Sequence, residues 1–128
     1  MGRIILFLLL LPSVTALVHT EYYYGIPVKF YKEGMDVKYC FSMMDKVDPM
    51  YYEGLKGIRL FSMKRTDYSY WGFYHYSRVM DIRIPCEDAI FSNILVHELA
   101  HHDNWINKIP PNHGVEFANA MKKINASR

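Results

Sequence analysis

The chain has little cysteine, little net charge and no long apolar run in its body, and each shortage removes a class of protein. Two cysteines, Cys40 and Cys86, among 128 residues are too few for a disulfide-built scaffold and cannot by themselves form a zinc ribbon. The formal net charge is +2, and no basic run exceeds Lys122-Lys123. That balance indicates neither a nucleic-acid partner nor an anionic membrane. The longest apolar stretch, residues 4–11, is too short to span a bilayer comfortably. Internal repeats, low-complexity tracts and a linker between domains are all missing, so the chain reads as one domain.

That apolar stretch follows Arg3 and is succeeded by Pro12, Ser13 and Thr15, with small residues at Val14 and Ala16. The pattern is that of an export signal cleaved after Ala16, leaving residues 17–128 as the mature, secreted domain. An oxidising compartment would let Cys40 pair with Cys86. Closing a loop of that length would stabilise the fold by roughly 4 kcal/mol.

Residues 18–32 read as one or two extended pieces broken at Gly25-Ile26-Pro27. Asp36 is a candidate N-cap for a helix over 36–48, which Asp48-Pro49 ends, and a short helical turn follows to about Leu55. Three strand-like runs come next, at 57–63, 68–76 and 79–85. In the last, Met80, Ile82 and Ile84 alternate with Asp81 and Arg83. Such alternation predicts a small antiparallel sheet of about three strands with one buried face. His75 is expected to face the core.

From Glu87 to about Trp105 the period becomes helical, with Glu87 and Asp88 placed in the first turn, where the helix dipole favours acids. Phe91, Leu95 and Leu99 form one stripe, and Ile90, Ile94, His97, His101 and Trp105 form another beside it. After Pro110-Pro111 a last helix is expected from His113 to Ile124, capped by Asn112, with Phe117, Ala118, Met121 and Ile124 inward. The predicted fold class is α+β, with helices packed on a small antiparallel sheet.

Within the long helix stands His97-Glu98-Leu99-Ala100-His101. Histidines four apart project from one face and can share a zinc ion, while the carboxylate between them stays free to act as a base. His113, beyond the double proline, is the expected third ligand, and Glu116 is its rival. His102 should point away from the pair, either backing the site from behind its ligands or lying at the surface. Tyr74 or Tyr76 could donate to an oxyanion, and an edge strand could hold an extended substrate.

Residues 71–124 resemble the SprT-like branch of zinc metallopeptidases. The resemblance rests on Trp71-Gly72-Phe73-Tyr74-His75, Ile82-Arg83-Ile84-Pro85, Ile94-Leu95-Val96-His97-Glu98-Leu99-Ala100-His101 and His113-Gly114-Val115-Glu116-Phe117. It implies a zincin-like core in which His97, His101 and His113 hold one catalytic Zn2+ and Glu98 is the general base. It also implies a peptide or protein substrate. Val115 stands where that family has proline, and the chain has no cysteine-rich tail. Because the chain reads as exported, the DNA-linked roles of the branch are not carried over. The competing expectation is a secreted, zinc-stabilised binding module without activity.

Overall fold

Tyr24 and Gly25 both adopt positive φ, 48° and 78°, the two-residue turn whose twist suits a tight hairpin. It joins β1 (His19–Tyr23) to an antiparallel β2 (Ile26–Phe30). The computed structural model describes residues 16–67 and 70–128. The expected export signal therefore lies, apart from Ala16, outside the described residues, as do Tyr68 and Ser69 of the second strand-like run.

The chain then crosses over through α1 (Val37–Met44), capped as expected by Asp36, whose carboxylate accepts from the Tyr39 N–H at 3.0 Å. A 3-10 turn at Pro49–Tyr52 follows, with Asp48 accepting from the Met50 N–H. This crossover returns β3 (Gly57–Leu60) parallel to β2. A hairpin, β4 (Gly72–His75) and β5 (Val79–Ile82), completes the sheet, with β5 running parallel beside β3 and β4 outside it. The strand order is β1-β2-β3-β5-β4.

The α+β class is as expected, but the sheet corrects the prediction. It has five strands rather than about three, and it is mixed rather than antiparallel. Parallel pairing needs a crossover of a dozen or more residues. Residues 31–56 supply one, a long-range fact that alternation within single strands does not carry.

One sheet face is sealed by helices. Val28, Phe30, Ile58, Leu60, Tyr74, Met80 and Ile82 all face inward and are buried. Against them lies α2 (Phe91–Ile106), whose Phe91, Leu95 and Leu99 are fully buried. Burying such side chains contributes about 1.5–3 kcal/mol each. The helix α2 starts at Phe91, later than expected. Asp88 instead accepts from the Ile90 N–H at 3.0 Å and pairs with Arg65, so the acid builds the preceding turn. The last helix, α3 (Val115–Asn125), packs on α2 through Phe117, Ala120 and Ile124, whereas Ala118 is exposed, contrary to expectation. Asn112 bonds the Gly114 N–H at 2.8 Å and does not cap that helix.

Cys40 of α1 and Cys86, just before α2, form a buried disulfide with a Cα–Cα distance of 5.3 Å. It ties the crossover to the segment that launches the long helix. Among the described residues no helix is long and apolar enough to cross a membrane.

Candidate metal centre

Spacing along α2 puts His97 and His101 one turn apart on the same face, their ring centroids 5.0 Å apart. After Pro110-Pro111 the chain turns back, and His113 enters from the loop just before α3. Its Nε2 lies 3.1 Å from the Nε2 of His101. One ligand atom from each of the three imidazoles lies within 4.8 Å of the others. Their common floor is the buried Phe117, whose ring centre is 4.9, 4.5 and 4.8 Å from His97, His101 and His113.

That floor and the surrounding core remove water from the inner two rings. Burial, with a smaller effect from His113, lowers the pKa of His97. Burial and the neighbouring His97 and His113 push His101 down to about 4. Both are therefore neutral near pH 7, the form in which imidazole ligates a metal. His113 is exposed and leaves the outer side open.

Glu98 sits beside the triad but outside it. It is 5% exposed, and burial, reinforced by the charge of Asp81, pushes its pKa up to about 8. A cation nearby would favour its ionised form. The carboxylate's close neighbour is Gly72 of β4. A Cβ there would lie 2.6 Å from Ile94 Cγ2 and 2.9 Å from Glu98 Oε2. Only glycine lets the strand approach the helix this closely.

β4 is an edge strand packed beside α2. The Trp71 carbonyl accepts from the Arg83 N–H at 2.8 Å. By antiparallel alternation, Gly72 and Tyr74 then turn their backbone groups to the open edge. The hydroxyl of Tyr74 is committed elsewhere. It is 2.7 Å from Nδ1 of His102, whose Nε2 is 2.7 Å from the Glu53 carbonyl. A carbonyl only accepts, so Nε2–H donates to it and Tyr74 donates to Nδ1 of the neutral ring. Tyr74 is thus not free to serve an oxyanion. Tyr76 is exposed and packs on Trp105 at 4.6 Å.

The structure brings together His97, His101, His113 and Glu98, and it leaves out Glu116. That residue is exposed on α3 and borders a separate hollow with Asp103 and Lys123. His102 does point away from the pair, but it is fully buried rather than at the surface. His75, expected in the core, faces the opposite side of the sheet beside Asp81. His19 stacks on Phe30 at 4.7 Å, far along the sheet. Sequence reasoning missed Gly72 and gave Phe117 only a core role. A glycine inside a strand is itself a sign of close approach.

No protein-family model matches the chain, and no curated protein or solved structure is significantly similar to it.

Proposed function

We propose that the chain is an exported zinc-dependent peptidase of SprT-like type, in which His97, His101 and His113 hold the ion and Glu98 is the general base. The observation that carries this reading is the convergence of three imidazoles beside a buried carboxylate that is not one of them. The donor set fits the metal. Tetrahedral ligation at about 2.0–2.1 Å places ligand nitrogens roughly 3.3 Å apart; His101 and His113 stand at 3.1 Å, and all three ligand atoms lie within 4.8 Å of one another, so small side-chain adjustments close the set on one ion. Neutral nitrogen ligands preserve the ion's Lewis acidity, and Glu98 is left unligated.

When bound, zinc supplies a Lewis acid that acidifies water to a pKa of about 7 and polarises a scissile carbonyl. With an ion held by the three imidazoles, Glu98 would be placed to take a proton from an attacking water and to return it to the leaving amine. The open edge at Gly72 and Tyr74 holds an extended substrate by backbone pairing, with its reacting bond over the exposed side of the triad. The buried disulfide and the apolar leader support export.

The test is cleavage of an unstructured protein by purified chain, before and after metal stripping. Cleavage that a chelator abolishes and stoichiometric zinc restores is the expected result. The second reading, a zinc-stabilised binding module, is favoured by the exposure of every residue from 110 to 116, a rim that walls no deep cleft. It predicts zinc binding without cleavage.

A further inference from the structure

The sheet face turned away from the helices is not bare. Its register aligns Lys29 of β2, Arg59 of β3 and Asp81 of β5 in one row across the strands. Asp81 is fully buried although it lies on this outer face. Arg59 binds it with two atoms, Nε to Oδ1 at 2.6 Å and Nη2 to Oδ2 at 2.7 Å, and His75 Nε2 lies 2.8 Å from Oδ2. Such a fork fixes a guanidinium rigidly.

Beside the fixed guanidinium is a cavity of about 360 Å³, bordered by Lys29, Lys56, Arg59 and His75, with Gly57 among its lining residues. Both lysines are exposed. No acidic residue is among those lining the hollow, and the neighbouring Asp81 is already paired with Arg59. We infer that this hollow binds a short acidic peptide segment of a partner protein, at a site separate from the histidine triad. Its size is at the small end of ligand pockets, about 300–1,000 Å³, and so suits a few side chains rather than a large ligand.

The donor chemistry favours carboxylates over phosphates. Arg59 spends its fork on Asp81, so the bidentate grip that suits phosphate is already occupied. The remaining charged donors are the two lysine ammonium groups, joined by the Tyr31 and Ser77 hydroxyls, single-point donors that a carboxylate satisfies. A net charge of +2 over the whole chain provides no extended field for a polyanion.

The experiment follows backbone amide resonances of the full, disulfide-bonded chain titrated with a blocked tetraglutamate peptide. Blocked tetraglutamine and inorganic phosphate are parallel arms. Tetraglutamate is expected to shift amides at Lys29, Gly57, Arg59, His75 and Val79 and to spare α2 and α3. The double variant Lys29→Gln/Lys56→Gln should bind at least ten-fold more weakly. Gly57→Leu should do the same without changing charge. A Cβ there meets its nearest atoms at 3.8 Å, an ordinary contact, so the backbone accepts a side chain at this position of the cavity lining. His101→Ala should bind tetraglutamate as the parent does, which keeps this result separate from the fate of the metal reading. Equal shifts from tetraglutamine, shifts scattered over the surface, or undiminished binding by Gly57→Leu would each overturn the inference. Phosphate binding in the hollow as tightly as tetraglutamate would overturn it too and reassign the site to phosphate ligands.

Discussion

Two buried acids stand near the sheet edge, and their environments are opposite. Asp81, on the outer face, has both oxygens engaged by Arg59 and His75 and is 0% exposed. Glu98, on the helix side, is 5% exposed, and burial alone with the charge of Asp81 lifts its pKa to about 8. A buried charge that is fully paired serves geometry, whereas a carboxyl left unpaired is free to take up or release a proton. The difference teaches that burial alone does not say whether an acid is tied into the fold. The partners do.

The largest effect should come from removing the unpaired acid. Glu98→Gln is expected to lower turnover by 10²-fold to 10⁴-fold, the range for a lost general base, while zinc stoichiometry is unchanged. Steady-state cleavage rates beside elemental analysis check it, and parental turnover in the variant would break the contrast. The same change at the paired acid should act on stability instead. Asp81→Asn leaves Arg59 short of its partner, and because that side chain is 35% exposed the expected loss is about 2 kcal/mol rather than the 3–5 of a sealed pair. Denaturant unfolding measures it.

A smaller effect sharpens the comparison through pH. In the metal-free chain, Glu98 has a folded pKa of about 8 against 4.5 ordinarily. The unfolded state therefore loses its proton first as pH rises, and stability falls across that interval. His101 works in the other direction, since its folded value of about 4 against 6.5 makes stability rise with pH up to about 6.5. Between pH 6.5 and 8 only the Glu98 effect remains of these two. There the metal-free parent should lose stability with rising pH, and Glu98→Gln should stay flat in the same unfolding measurements.

Legibility from sequence followed the range of the interactions. The long helix is readable because its apolar period runs through His97 and His101 within one element. The return of His113 is readable because a double proline breaks the chain at the right distance. The pairing of Cys40 with Cys86 follows from there being only two cysteines in a chain that reads as exported. Sheet order is not readable in this way, because β2, β3 and β5 are made parallel by a crossover and by a hairpin placed outside. The alternation of Met80 and Ile82 with Asp81 arises because, among the described residues, the helices cover one sheet face and leave the other, and that pattern mimics an antiparallel sheet. The close approach at Gly72 and the fork on Asp81 depend on neighbours distant in sequence.

The central claim is that three imidazoles share one ion, and metal stoichiometry tests it most directly. Elemental analysis of stripped and reloaded parent, His113→Ala and Glu116→Ala chains is expected to give one zinc in the parent and in Glu116→Ala, with tight binding lost in His113→Ala. A parent without zinc, or a His113→Ala chain that holds it as firmly as the parent, would contradict the account.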